Sequence, residues 1–104
     1  EALETATLYA TEVPLRTMEA SYDVFDYAEA MAREGNPASV SDAAVGALAA
    51  RAAVVGALLN VRINAAGLKN RENAEKLLTR ADEIDKKSEA RVATVLEIAN
   101  SKIK

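Results

Sequence analysis

An all-α fold, an antiparallel bundle of three to four helices, is predicted by three features of this 104-residue sequence. Half of the residues are apolar but only 4% are aromatic. Together with abundant alanine, that balance suits closely packed helices rather than a sheet rich in Val, Thr and Tyr. Apolar residues recur at three- and four-residue intervals over long windows, the period of a helix face. Stop signals at Gly35, Pro37 and Gly67 divide these windows. The length allows one domain at most, residues 1–104. Its modest core would bury about 65% of the unfolded chain's surface, so a partner is expected.

The first helical segment spans about Ala2 to Glu34, with Pro14 its one strong breaker. Pro14 either opens a second helix or sits within one long helix. Beyond it, Leu15, Met18, Tyr22, Phe25, Ala28 and Ala32 form one apolar row, and Val13, Ala20, Val24, Tyr27 and Met31 form a second. Two adjacent rows predict burial over a wide arc. Gly35 ends this helix, and a loop is expected from Gly35 to Val40 because the residue before Pro37 is pushed away from helical angles. Ser41, or else Ser39, then caps a second helix with Asp42 in its first turn, where the helix dipole favours a carboxylate. This helix runs to about Ala66 and is closed by Gly67. Lys69-Asn70 leads into a third helix, whose row Leu77, Ala81, Ile84, Ser88, Val92, Val95, Ala99 and Ile103 has the spacing of a bundle or coiled coil.

Composition excludes much chemistry. There is no cysteine and no histidine, so disulfides, Ser-His and Cys-His nucleophiles, imidazole catalysis and sulfur or His-ligated zinc are all outside this sequence. Catalysis must run on carboxylates, amides, Lys, Arg or Tyr. The net charge of −3 argues against nucleic acid as a partner. Residues 1–68 carry nine acids and four bases, and residues 69–104 seven acids and nine bases, too mild an asymmetry to name a ligand. The strongest apolar window, Ala52 to Val61, lies between Arg51 and Arg62 and is short of the ~20 residues that span a bilayer. A soluble protein with no membrane partner is expected. The opening Glu1-Ala2-Leu3-Glu4 lacks signal-peptide order and reads like a chain entered midway.

At about 100° per residue, Asp42, Gly46, Ala49, Ala53, Gly56, Asn60 and Asn64 fall within about 40° of one line. A carboxylate and two carboxamides thus end a stripe of tiny side chains. Such a stripe is ordinarily a packing seam, and Asp42 alone is ordinarily a dipole partner. Asn60 and Asn64 are poor interior helix residues that need backbone, water or ligand partners. Arg62 is either a surface charge or a contact for an anionic group. Asp82, Glu83 and Asp85 lack a Gly-turned oxygen-rich loop and read as a solvated helix face rather than a cation site. Tyr22, Phe25 and Tyr27, at helical spacing, read as core rather than as a stacking platform.

Ala10-Thr11-Glu12-Val13-Pro14-Leu15, Glu34-Gly35-Asn36-Pro37, Ser41-Asp42-Ala43 and Gly56-Ala57-Leu58-Leu59-Asn60-Val61-Arg62-Ile63-Asn64 stand in the order and spacing of a known family. In them the sequence resembles the C-terminal half of the formiminotransferase-cyclodeaminase and methenyltetrahydrofolate cyclohydrolase family, closely over Glu1 to Leu68 and in character beyond. The resemblance implies an all-helical, dimeric, cytoplasmic protein of folate one-carbon metabolism. Its substrate would be a tetrahydrofolate derivative, with no covalently bound cofactor and no metal. The reaction would be either ring closure of 5-formiminotetrahydrofolate with loss of ammonia or hydrolysis of 5,10-methenyltetrahydrofolate.

Carried over residue by residue, Asp42 would be the catalytic carboxylate. Asn60 and Asn64 would bind the pterin or the reacting nitrogens, Arg62 an anionic group, and Asn36 would order the site entrance. Family members are about twice as long and carry a Pro-Gly-Gly-Gly-Ser type segment in an N-terminal half that is absent from these 104 residues. Homodimerisation or association with such a half is therefore expected. The competing reading is a helical association module without catalytic activity of its own.

Overall fold

A computed structural model describes residues 2–103 as three helices in chain order, α1 (Ala2–Glu34), α2 (Pro37–Ala66) and α3 (Arg71–Lys102). Glu1, part of the expected opening, and Lys104 lie outside the described residues. Short connections fold the helices back on one another, as expected of an antiparallel bundle. The result is a rod of 57 × 18 × 16 Å.

Of the two roles open to Pro14, the long helix forms: α1 runs through it without a break. Proline has no N–H, so the Ala10 carbonyl loses its intrahelical donor. Asn64 of α2 replaces it, donating from Nδ2 to the Ala10 oxygen at 3.0 Å. Gly35 then lets the chain turn in minimal space. A Cβ there would lie 2.6 Å from the Met31 oxygen and 2.8 Å from the Ser39 Cβ.

The expected Gly35–Val40 loop is only two residues long. Asn36 is the cap, its Oδ1 accepting from the Ser39 N–H at 3.0 Å, and Pro37 opens α2. Proline bars continuation of α1 but suits the first position of a new helix, where an N–H is not needed. Ser41 is therefore inside α2 rather than its cap, and Asp42 is past the first turn. At the far end Gly67 closes α2 with right-handed angles, φ −85° and ψ −6°. Arg71 donates to the Ala65 and Leu68 carbonyls at 3.1 and 2.9 Å, bracing the turn between α2 and α3. Asn70 caps α3 by accepting from the Asn73 N–H at 3.0 Å.

Three apolar clusters run along the bundle. Phe25 packs among alanines of α1 and α2 with Val92 and Val95; Met18 meets Val54, Leu58, Val61 and Ile84; Leu68 closes one end with Ala65 and Ala74. The first apolar row of α1 is wholly or half buried, and Ala81 to Ala99 of α3 follow their expected face. Ile103 lies beyond the end of α3 and is 48% exposed. Polar pairs lock the helices in register. Arg51 donates from Nη1 to Asp85 Oδ1 and to the buried Ser88 Oγ, both at 2.6 Å. Arg91 of α3 donates to Asp26 of α1 at 2.9 Å and lies 5.7 Å from the Tyr22 ring centroid.

One expectation about burial fails. The second row of α1, Val13, Ala20, Val24, Tyr27 and Met31, is exposed. So is the outer face of α2, with Val45 64% and Ile63 71% exposed. α2 is also long and apolar enough to cross a membrane by length and composition, a property that the core helix of a soluble protein shares. A helix apolar all round belongs in an interior. Here α3 covers one side of the α1–α2 pair, and the other side is bare.

Candidate functional site

The antiparallel pairing of α1 and α2 brings the Pro14 region beside the C-terminal third of α2. Between them lies a groove of about 640 Å³ lined by Tyr9, Ala10, Val13, Pro14, Thr17, Ala53, Ala57, Asn60 and Asn64. That volume is within the range of small-molecule sites, whose walls are mainly apolar with a few placed polar groups. The small side chains of Ala53 and Ala57 form the floor beside Asn60, and Tyr9 forms a rim that is 59% exposed. With Asn64 Nδ2 committed to Ala10, its Oδ1 is the atom left to accept from a ligand. Asn60 makes no side-chain hydrogen bond among the described residues, and both its amide functions are free.

The structure brings Asn60 and Asn64 together but separates the other candidates. Asp42 shares their face of α2 and is exposed, yet eighteen positions at 1.5 Å put it about 27 Å from Asn60 along the axis. One chain therefore cannot set both groups against the same reacting carbon. Arg62 turns toward α3, where its Nη2 lies 3.4 Å from Asp82 Oδ1, away from the groove. Asn36 is at the opposite end of α2 from Asn60 and Asn64, engaged in capping.

Residues not singled out as site residues from the sequence, Tyr9, Val13 and Thr17, line this groove from α1. The signal was present in Pro14, whose missing N–H calls for a donor from another helix. Arg51 was read only as a flank of the apolar run, but it is the hub joining α2 to α3. Asp82 and Asp85 are ion-pair partners of Arg62 and Arg51. No cluster of three or more potential metal ligands occurs among the described residues.

One carboxylate has a special environment. Glu4 accepts from the Lys69 N–H at 2.9 and 3.0 Å and from the Asn70 N–H at 2.9 Å, tying the start of α1 to the α2–α3 turn. These backbone donors, Lys69 first, hold its carboxyl below the ordinary value of 4.5. It is a structural anchor at the end of the rod.

Residues 1–83 match the formiminotransferase-cyclodeaminase family. The methenyltetrahydrofolate cyclohydrolase of Methylorubrum extorquens is 38% identical over 103 residues, which make up 99% of this chain and 48% of that protein. The formimidoyltransferase-cyclodeaminase of Dictyostelium discoideum is 34% identical over 101 residues, 97% of this chain and 19% of that protein. The chain thus spans about half the length of the first relative and about a fifth of the second. The match extends past Leu68 into the first half of α3.

Proposed function

Since the chain belongs to the formiminotransferase-cyclodeaminase family, we propose that it forms part of a cytoplasmic enzyme acting on tetrahydrofolate derivatives, as a cyclodeaminase or a cyclohydrolase. The observation that carries this reading is the α1–α2 groove, with two carboxamides one helical turn apart over a floor of alanines. A reduced pterin presents flat apolar faces with ring N–H, amino and carbonyl groups at its edge. Asn60 can donate and accept toward that edge, while Asn64 offers Oδ1 to an N–H. Tyr9 supplies a ring at the rim.

Both candidate reactions pass through a tetrahedral carbon between nitrogens. In cyclodeamination the folate N10 attacks the formimino carbon, and the carbon–nitrogen bond to the departing group breaks as ammonia takes up a proton. In hydrolysis, water adds to the methenyl carbon and the bond to N5 opens, leaving a formyl group on N10. A carboxylate can relay the proton in either case and favour the cationic amidine-like centre. Asp42 is the carboxylate we assign to this role, brought to the substrate by a second copy or a further helical half, since it lies about 27 Å from Asn60 in its own chain. Asn36 has a lesser part through its hold on the start of α2, and Arg62 would reach an anionic tail of the substrate only by leaving Asp82.

Titration with 5-formyltetrahydrofolate tests the reading. Saturable binding that Asn60→Ala weakens at least tenfold supports it, and no saturable binding removes it. In the complete enzyme, Asp42→Asn should sharply lower turnover while far-UV circular dichroism stays unchanged; undiminished turnover takes Asp42 out of the mechanism. The second reading, an association module, is favoured by the bare apolar face of α1 and α2. Association as a homodimer, or with a further helical half, is part of both readings.

A further inference from the structure

The polar side chains lining the α1–α2 groove are Tyr9, Thr17, Asn60 and Asn64, and they differ in what they have left to offer a ligand. Thr17 donates its one hydroxyl hydrogen to the Val13 carbonyl at 3.3 Å, a turn back along α1. Its oxygen is left as an acceptor. Asn64 donates from Nδ2 across to the Ala10 carbonyl of α1 at 3.0 Å. Asn60 makes no side-chain hydrogen bond among the described residues and can present either end of its amide. Two groove residues thus have a set polarity, and one can adapt.

The hold on Asn64 originates in Pro14. In a helix without proline the N–H of residue 14 would bond the carbonyl of residue 10. Proline brings no N–H, yet α1 continues through it. The Ala10 carbonyl therefore needs a donor from outside α1, and Asn64 is that donor. Turning the Asn64 amide over would withdraw the donor and set Oδ1 against the carbonyl oxygen, acceptor against acceptor. Loss of the hydrogen bond alone reduces the turned form to about one fifth of the population. The opposed oxygens lower it further.

We propose that Pro14 is a positioning residue for ligand recognition: by holding the Asn64 amide with Oδ1 as its open end, it makes the groove select a ligand that brings an N–H there, which in a pterin is the lactam N–H. A lactam sets an N–H beside a carbonyl on one edge of the ring. Asn64 accepts from the N–H, and Asn60, one turn away, donates to the carbonyl. A 2,4-diaminopteridine edge has the reverse order, with a bare ring nitrogen where the N–H was and an amino group in place of the carbonyl. Asn60 can turn over to suit that edge. Asn64 cannot do so without stranding the Ala10 carbonyl. Discrimination therefore resides in the held asparagine, and Pro14 acts through it. The choice of a pterin lactam rests on the folate reading above; the lock on Asn64 does not.

Two ligands test the selection: 5-formyltetrahydrofolate, which carries the lactam, and its 4-amino-4-deoxy analogue, which carries the diamino edge. Each is titrated by calorimetry against the 104-residue chain in mildly alkaline buffer, where the ring of either probe is uncharged. The parent should bind the lactam more tightly by about tenfold or more. Pro14→Ala returns an N–H to the Ala10 carbonyl and favours the helix, so the variant folds. Its preference for the lactam should fall by about fivefold, chiefly because the diamino probe binds better. Asn64→Ala should also reduce the preference, and Pro14→Ala added to it should change nothing further. A residue that only shaped the groove would affect both probes alike. Replacing the residue-14 N–H of Pro14→Ala by an ester oxygen removes the hydrogen without restoring the ring, and should bring back the parent's preference. An unchanged preference in Pro14→Ala, or no restoration by the ester, overturns the proposal.

The lock is also read without any ligand, from the Asn64 side-chain amide in the NMR spectrum of isotope-labelled protein. Its two Nδ2 protons should resonate further apart in the parent than in Pro14→Ala, because one of them is bonded to Ala10 and held there. Equal separation in the two proteins overturns the lock. No saturable binding of 5-formyltetrahydrofolate by the parent, with the wider separation present, defeats the folate reading and the lactam assignment with it, and upholds the lock.

Discussion

Replacing Asn64 with leucine removes the donor that α2 lends to α1, and the consequence depends on Pro14. In the native chain the Ala10 carbonyl accepts from Asn64 Nδ2 at 3.0 Å because residue 14 has no N–H to offer. The bond is at a partly solvated groove, so its loss should cost about 1 kcal/mol, the middle of the range for an intramolecular hydrogen bond. For a chain of this size that is a fall in Tm of roughly 4–8 °C. Pro14→Ala restores the intrahelical donor to the same carbonyl and should itself stabilise α1 by about 1–3 kcal/mol. In that background Asn64→Leu should cost little, giving a coupling of about 1 kcal/mol between two residues fifty positions apart. Urea unfolding of the four proteins, followed by far-UV circular dichroism, measures this cycle. If Asn64→Leu costs the same with and without Pro14, the carbonyl is not orphaned in the way the geometry indicates.

Arg51→Met leaves the Asp85 carboxylate without its cation and should lower stability by about 2–3 kcal/mol, because both side chains are about four-fifths covered; a urea midpoint within error of the parent would show the hub to be dispensable. Glu4 has a lowered folded-state pKa, so its contribution is fully present above 4.5 and is lost as pH falls through the folded value. Melting curves from pH 6 to pH 3 should therefore show Glu4→Gln less stable than the parent near pH 6 and converging with it in acid; a constant difference contradicts the linkage. Gly35→Ala should destabilise by about 1–3 kcal/mol, since its methyl meets the Met31 oxygen and Ser39 at less than 3 Å. Gly46→Ala, with open space around it, should instead gain about 0.5–1 kcal/mol, and chemical denaturation of the pair decides whether the two glycines differ as stated.

Periodicity carried most of the fold. Met18, Phe25, Ala28 and Ala32 on one side of α1 and Ala81 to Ala99 on α3 lie where a 3.6-residue period puts them. The ends were less legible because one residue type serves opposite purposes. Pro37 reads as a barrier to the helix before it and is equally the preferred first residue of the helix after it, so the junction was expected to be longer than it is. Asn36 shows the same ambiguity: an amide just before a proline is a loop residue by composition and a cap by geometry. Burial was legible as apolar pattern but not as contact. The second row of α1 is as periodic as the first, and no property of a row says whether its cover belongs to the same 104 residues.

The site divides in the same way. An angular projection shows that Asp42, Asn60 and Asn64 share a face, but it discards height, and height decides which groups can meet one substrate. A straight helix of thirty residues keeps its two ends about 45 Å apart whatever its side chains. A face with candidate groups near both ends therefore serves two separate places, or serves one place only when further protein brings the missing group to it. The apolar stretch between Asp42 and Asn60 bears on this choice. Two independent surface sites would leave Val45, Leu59 and Ile63 in water with nothing to offset their exposure. Their cover comes from outside these three helices, and the same cover is what can bring a carboxylate to Asn60 and Asn64.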